Sequence, residues 1–116
     1  MPAHPLPPAR RIRRRGEFQH VFDAGRRAHG RYLTIIAAPA SGAASRLGIV
    51  ASRKLGGAVV RNRAKRLIRQ VFRTESEPAV PSDLVVIPKA SATKAKAAHI
   101  ASDYHMTLKR LGLSTQ

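Results

Sequence analysis

The stretch RLGIVASRKLGGAVVRNRAKRLIRQVFR, residues 46–73, predicts a strand, a turn and a helix in immediate succession. Its first part, RLGIVAS, is apolar and contains β-branched residues, as strands do. The paired glycines Gly56 and Gly57 permit a tight backbone turn before the helix. From there on, apolar residues recur at helical spacing and fill an arc of about 140° on a helical wheel. We predict that this face packs into the core; it consists of Val60, Ala64, Leu67, Ile68, Val71 and Phe72.

The rest of this helix is cationic. Its polar residues fill the wheel from about 100° to about 300°, and they are Arg61, Asn62, Arg63, Lys65, Arg66, Arg69 and Arg73. A charged helix face is usually only a solvated surface, but such a surface normally mixes both signs. An arginine-rich face that carries an Asn can hold phosphates through its charges and make directed hydrogen bonds through the amide. The helix therefore predicts a polyanion-binding surface.

A first helix is predicted on the N-terminal side, over residues 14–24. Phe18, Val21 and Phe22 fall at i, i+3 and i+4, and Gly25 follows where a glycine ends a helix. Two interpretations of the aromatic pair remain open, because it can pack in the core or stack on unpaired bases beside the N-terminal arginines.

The segment RYLTIIAA, residues 31–38, is rich in aromatic and β-branched residues and predicts a strand that ends at Pro39. The turn-rich PASGAAS that follows predicts a hairpin that joins it to the strand of residues 46–52. Residues 26–30 could form a further minor strand, and their sequence leaves this undecided.

The C-terminal part predicts one more strand and one more helix. DLVVI, residues 83–87, is a short apolar strand, and Ser91 or Thr93 is expected to cap a last helix that ends at Gly112. The order α-β-β-(β)-α-β-α predicts an α+β fold, a small two-layer α/β sandwich with helices packed on a small sheet.

Length and composition restrict the class of protein. The 116 residues suffice for one small domain, which we expect over residues 10–113, after a disordered Pro-rich arm of residues 1–9 and before a tail of residues 114–116. The chain is 43% hydrophobic, enough for a core, and it has no cysteine for disulfides or thiolate zinc sites. Because no apolar run is long enough to span a bilayer, we expect a cytoplasmic protein without a membrane partner.

The charge points to nucleic acid. The chain has 22 Lys and Arg against six Asp and Glu, a formal net charge of +16, and 17 of the basic residues lie in residues 1–73. A surface of this sign attracts polyanions. The six acids are scattered, the five histidines lack the spacing of metal ligands, and neither phosphate-binding glycine motif occurs. A protein nuclease that carries its own catalytic groups is therefore the least favoured class.

Residues 52–73, SRKLGGAVVRNRAKRLIRQVFR, resemble the signature of the protein subunit of bacterial ribonuclease P, whose most specific feature is an RNR triplet followed by KRxxR. GEFQHVFDAGRR resembles the first helix of that family, and RYLTIIAA, RLGIVAS and DLVVIPK resemble its strands. The resemblance implies an α/β sandwich in which the basic helix enters the sheet by a left-handed βαβ crossover.

The resemblance also implies an activity. In that family the RNA subunit is the catalyst, and it uses Mg²⁺, held mainly by the RNA, to hydrolyse the 5′ leader from precursor tRNA. The protein would bind the catalytic RNA and the single-stranded leader, broaden the substrate range and lower the magnesium requirement. It would carry no catalytic group and take no small-molecule substrate.

Site residues follow from the resemblance by position. The face toward the catalytic RNA would consist of Arg53, Lys54, Arg61, Asn62, Arg63, Lys65, Arg66 and Arg69. The leader cleft would consist of Phe18, Phe22, Ile36, Arg14 and Arg15, although the family often has an aromatic residue at the position of Ile36. Tyr32 would point to the opposite face of the sheet if its strand alternates regularly.

Two other classes share some of these features. An RNA-binding protein of the ribosome would have a similar size, charge and element order, and composition alone does not separate it from a nuclease subunit. A DNA-binding module is less favoured, because no second helix stands at a short turn before the basic helix.

Overall fold

The computed structural model describes residues 6–75 and 77–114. Within them the chain forms three α-helices and four strands, in the order α1 (Arg15–Ala24), β1 (Arg26–His29), β2 (Leu33–Pro39), β3 (Arg46–Ile49), α2 (Ala58–Thr74), β4 (Ser82–Pro88) and α3 (Ala97–Arg110). Short 3₁₀ turns lie at Pro8–Arg10, Arg53–Leu55 and Ala90–Lys94. This arrangement confirms the predicted α+β class. None of the helices in these ranges is long and apolar enough to cross a membrane.

The four strands form one mixed sheet in the order β1-β2-β4-β3. β1 and β4 each pair antiparallel with β2, whereas β3 pairs parallel with β4. The cationic helix α2 connects β3 to β4 and so provides the predicted βαβ crossover. The undecided segment before β2 is an edge strand, β1.

The predicted hairpin between β2 and β3 is wrong, because β4 lies between these two strands. Leu84, Val85 and Val86 of β4 are fully buried, so both faces of this strand are covered. A strand that is apolar on both faces is most stable inside a sheet, where both of its hydrogen-bonding edges are also satisfied. β4 therefore takes an inner place, although it is last in sequence.

Each face of the sheet has its own apolar cluster. On one face, residues of all the inner strands pack against α2 and α3, with Phe72 and Tyr104 among the largest buried side chains. On the other face, Ile36 and Val85 pack against Val21 of α1. The two helices on the first face form the second layer of the sandwich, and α1 adds a partial layer on the opposite side.

Helix α1 ends at Gly25, as predicted, but for a different reason. Gly25 has φ −83°, so no left-handed conformation requires a glycine. A Cβ atom at this position would lie 2.4 Å from the carbonyl oxygen of Val21 and 2.8 Å from Cγ2 of Ile36. The glycine is needed because the chain passes close to β2 as it leaves the helix.

The predicted disordered arm is corrected at residues 6–9. Leu6 is 4% exposed and belongs to the larger core cluster, and Pro8–Arg10 forms a 3₁₀ turn. Beyond this turn the Ile12 amide donates to the carbonyl of Leu47 at 2.8 Å, so the segment runs along the outer edge of β3. Residues 1–5 of the predicted arm, and residues 115–116 of the predicted tail, lie outside the described residues.

The start of the last helix is also corrected. Helix α3 begins at Ala97, and neither Ser91 nor Thr93 caps it. The Ser91 hydroxyl donates instead to the carbonyl of Arg31, before β2, and the Thr93 hydroxyl donates to the carbonyl of Ala90 within the preceding 3₁₀ turn. At the other end the prediction is confirmed, because Gly112 follows the helix with φ +73°, a conformation that favours glycine.

Candidate nucleic-acid interface

The cationic face of α2 divides into exposed and engaged residues. Asn62, Arg66 and Arg69 are exposed, and Arg61 and Lys65 are half-buried. Immediately before the helix, Arg53 and Lys54 lie exposed on the Arg53–Leu55 turn. The positive φ of Gly56, +150°, turns the chain from this segment into α2. The cations of the turn therefore directly precede those of the helix along the crossover.

Arg63 differs from its neighbours on this helix. Its guanidinium donates to the carbonyls of Thr93 and Ala95 at 3.1 and 3.2 Å. These bonds tie α2 to the turn that precedes α3. The resemblance places Arg63 among the RNA-binding residues, and the structure gives it this internal contact as well.

A cleft lies beside the exposed cations, on the edge of the sheet. It has a volume of about 160 Å³, and its walls come from the N-terminal segment, α1, β3 and α2. Basic side chains of the N-terminal segment and of α2 line it together with Phe18. The cationic lining consists of Arg11, Arg13, Lys65 and Arg69.

The floor of this cleft depends on a glycine. A Cβ atom at Gly48 of β3 would lie 2.7 Å from Cε1 and 2.9 Å from Cζ of Phe18, and 3.0 Å from Cβ of Ile12. The missing side chain therefore allows the aromatic ring to lie directly against the strand. Phe18 is half-buried in this position, with part of its ring accessible from the cleft.

The other residues predicted for the leader are placed differently. Phe22 is half-buried and packs against the cluster beneath α1, and Arg14 and Arg15 are exposed at the start of that helix. Ile36 is 1% exposed beneath the same helix, so its side chain has no surface for RNA, and the prediction of Ile36 as a leader contact is wrong. The helix that carries the two phenylalanines covers it.

Arg13 and Gly48 were missed as site residues by the sequence reasoning. Arg13 belongs to the N-terminal arginine run, and only the fold shows that it, rather than Arg14 or Arg15, lines the cleft with Phe18. Gly48 left a signal, because a glycine inside a strand often marks a close approach of another group. Tyr32 packs against the cluster under α3, on the face opposite Phe18 and Ile36. Regular alternation would place residues 32 and 36 on the same face, but Tyr32 precedes β2, which begins at Leu33, so the alternation does not extend to it.

A partly buried ion-pair network holds α1 against the sheet. The Arg46 guanidinium donates to both carboxylate oxygens of Asp83, at 3.1 and 2.9 Å, and to Glu17 at 2.6 Å. The other oxygen of Glu17 accepts the backbone amides of Arg13 and Arg14. These contacts, with the Arg46 hydrogen bond the largest, lower the pKa of Glu17 to about 2, and the two carboxylates raise the pKa of Arg46. The network positions the first turn of the helix that carries Phe18.

The remaining acids are engaged as well. Asp103 accepts the backbone amides of Arg31, Tyr32 and Leu33 at 2.8 to 2.9 Å. The other three bind polar side chains: Glu75 binds His105, Glu77 binds Arg10, and Asp23 accepts from Gln19. In residues 6–75 and 77–114, no three His, Asp or Glu side chains come together as a metal site would require.

The exposed charge is therefore mostly positive. All six carboxylates take part in internal contacts, and the cations outnumber them by 16. The cations of α2 and of the N-terminal segment that reach solvent have few acidic neighbours. The geometry combines a cationic groove with an accessible aromatic ring, which is the usual construction of a site for single-stranded nucleic acid.

Comparison with known proteins agrees with this geometry. The Ribonuclease P family model matches residues 6–112. The chain is 39% identical over 111 residues to the ribonuclease P protein component of Desulfovibrio desulfuricans, covering 91% of this chain and 85% of that protein. It is 41% identical over 113 residues to that of Beutenbergia cavernae, covering 93% and 92%.

A solved structure shows the same fold. The RNase P protein of Staphylococcus aureus superposes with a TM-score of 0.81 at 28% sequence identity, covering 90% of this chain and 96% of that one. Family match, sequence identity and fold thus agree over nearly the whole domain. The chain belongs to the family of bacterial ribonuclease P proteins, the protein components of a ribonucleoprotein nuclease of tRNA processing.

Proposed function

We propose that this protein binds the RNA subunit of its ribonuclease P through the exposed cations of α2 and the preceding turn, and that it holds the single-stranded 5′ leader of precursor tRNA in the cleft beside Phe18. The observation that carries the proposal is that Phe18, Arg13, Lys65 and Arg69 line one cleft.

The cleft suits a flexible single strand. An aromatic face stacks on any base, at about 1–3 kcal/mol per base, and the cations contact the phosphates on either side. Stacking does not require a particular base, which fits leaders that differ in sequence. Because Phe18 is held by Gly48 and by the Glu17–Arg46 contact, its ring is already in place before RNA binds.

We place the hydrolytic chemistry on the RNA. The carboxylates of this chain are engaged in ion pairs and in hydrogen bonds to the backbone, and they do not suit a protein-held Mg²⁺ site. The magnesium ions of the reaction would be held mainly by the RNA subunit. The protein's part is to reduce repulsion between two RNAs, which raises affinity for leader-bearing substrates and lowers the magnesium concentration required.

The test measures binding of leader-bearing precursor tRNA and of mature tRNA, and cleavage of the precursor at low magnesium, by the matching RNA subunit with wild-type protein or with Phe18→Leu. Leucine keeps much of the packing under α1 but has no ring for stacking. We expect affinity for the leader-bearing substrate to fall about fivefold or more, while affinity for mature tRNA stays unchanged.

The matched control is Phe72→Leu, the same chemical change in the core under α2 and α3. It should lower stability without altering the preference for a leader. Equal losses of affinity for precursor tRNA and for mature tRNA with Phe18→Leu would refute the cleft assignment. Cleavage by the protein alone would refute the placement of the chemistry on the RNA.

A further inference from the structure

A second group of planar side chains lies on the opposite face of the sheet from Phe18. Tyr32, just before β2, and His99, in the first turn of α3, have nearly parallel rings at an angle of 11°, with centroids 6.0 Å apart. The guanidinium of Arg31 lies over the Tyr32 ring, 5.4 Å from its centroid. An aromatic ring, an imidazole and a guanidinium are the groups on which unpaired bases stack in RNA-binding proteins.

These groups border an open concavity of about 220 Å³. Ser102 and Met106 of α3 complete its wall together with Asp103. Met106 is 51% exposed, an unusual position for a large apolar side chain, and Ser102 adds a hydroxyl. The concavity thus offers apolar surface, flat rings and a hydrogen-bonding group at one place.

The charge at this concavity favours an anionic ligand. Asp103 is its acidic residue, and both carboxylate oxygens already accept backbone amides, including those of Arg31 and Tyr32. On the cationic side Arg31 is exposed, and Lys89 lies close by, with its Nζ donating to the carbonyl of Gly30 at 2.6 Å. A phosphate next to a stacked base would meet these cations.

The site is separate from the leader cleft. Tyr32 packs against the apolar cluster under α2 and α3, whereas Phe18 packs against the cluster under α1, so the sheet lies between them. A nucleotide bound at Tyr32 therefore belongs to a different stretch of RNA from the one that contacts Phe18.

We propose that Tyr32, His99 and Arg31 form a second RNA-binding site, which stacks one unpaired nucleotide of a stretch of RNA outside the leader cleft. The base packs in the concavity against both the Tyr32 and the His99 ring, and Arg31 contacts the adjoining phosphate. Its ligand is an unpaired nucleotide, of the RNA subunit or of the substrate.

The first test uses the intrinsic fluorescence of the full chain, which has two tyrosines and no tryptophan. Tyr104 is 1% exposed, so a base that stacks in the concavity quenches Tyr32 alone. Titration with a short oligouridylate should quench the emission saturably in the wild-type protein and equally in Phe18→Leu. In Tyr32→Phe the quenching should vanish. The affinity for a labelled oligouridylate, measured by fluorescence anisotropy, should stay the same. Emission that does not change in the wild-type protein would overturn the proposal.

The second test measures affinity for three RNAs. The first is the oligouridylate, measured with Phe18→Leu as the parent protein, and the other two are the RNA subunit and leader-bearing precursor tRNA. His99→Ala should weaken binding of the oligouridylate about fivefold or more. His20→Ala removes an exposed histidine of α1 and should leave this affinity unaltered. A matching loss on the RNA subunit or on precursor tRNA identifies the source of the nucleotide. Unchanged affinity of His99→Ala for all three RNAs would overturn the proposal.

Discussion

Gly48→Ala tests how closely the packing of the strand controls the leader cleft. The added Cβ would lie 2.7 Å from Cε1 of Phe18, whereas ordinary contact begins near 3.4 Å, so the ring must retreat by about 0.7 Å. The ring is half-exposed and can move outward into the cleft, so the substitution should cost about 1 kcal/mol of folding free energy, at the low end for an overpacked site. The displaced ring should also stack less well on the leader.

The assay is a double-mutant cycle with Phe18→Ala. Removal of the ring takes away the two closest contacts and leaves the 3.0 Å approach to Cβ of Ile12, so Gly48→Ala should cost less stability in that background than in the wild-type protein. The difference, measured by urea unfolding, should reach about 0.5 kcal/mol or more, the size expected for residues in contact. In binding assays with the holoenzyme, Gly48→Ala should lower the affinity for leader-bearing precursor tRNA and leave the affinity for mature tRNA unchanged.

Gly42 provides the matched control, because a Cβ atom at this position would have no neighbour within 4 Å. Gly42→Ala should change neither stability beyond a few tenths of a kcal/mol nor leader affinity. Equal costs of Gly48→Ala with and without the Phe18 ring would refute the reasoning, and so would a loss of affinity that is the same for both RNAs.

Three further predictions concern charged residues. Asp103→Ala leaves three backbone amides without their acceptor and should lower the free energy of unfolding by about 2–4 kcal/mol, whereas the exposed Asp23→Ala should cost little in the same urea titration. Because the pKa of Glu17 is lowered from 4.5 to about 2 in the folded protein, its contribution is fully present above pH 4.5 and is lost as the pH falls toward 2; Glu17→Gln should flatten the fall of the urea midpoint over that range. Arg66→Ala should reduce the salt dependence of RNA-subunit binding by about one phosphate contact without loss of stability, and Arg27→Ala on β1 should not.

Each of these has a result that would contradict it. Similar costs for the two aspartate variants would mean that the amides at the start of β2 do not depend on Asp103. An unchanged acid dependence in Glu17→Gln would place the acid-sensitive group elsewhere, and an unchanged salt slope in Arg66→Ala would remove that residue from the RNA interface.

The intramolecular contacts of the acidic side chains affect both the stability of this protein and its charge. Five of the six carboxylates link segments that are distant in sequence, and Asp23 bonds Gln19 within α1. Because these few acids are so outnumbered by cations, the protein keeps a strong net positive charge for binding phosphates.

The sequence alone was enough to predict an element when each of its faces keeps the same environment along its whole length. The apolar arc of α2, its cationic remainder and the burial of Phe72 follow from a local period of 3.6 residues. The RNR motif, with the KRxxR that follows it, is specific enough to indicate the family by itself. The glycine after α3 could also be assigned, because a left-handed residue at a helix end is a local requirement.

Only the tertiary structure decided which elements are neighbours and which side chains remain accessible. The inner position of β4, the burial of Leu6 and the covering of Ile36 by α1 all depend on contacts between residues far apart in sequence. Arg13 and Arg14 look alike in the chain, yet only the first lines the cleft. Periodicity describes one element at a time, whereas burial is shared among elements, and for this reason the cleft beside Phe18 could be assigned only from the folded chain.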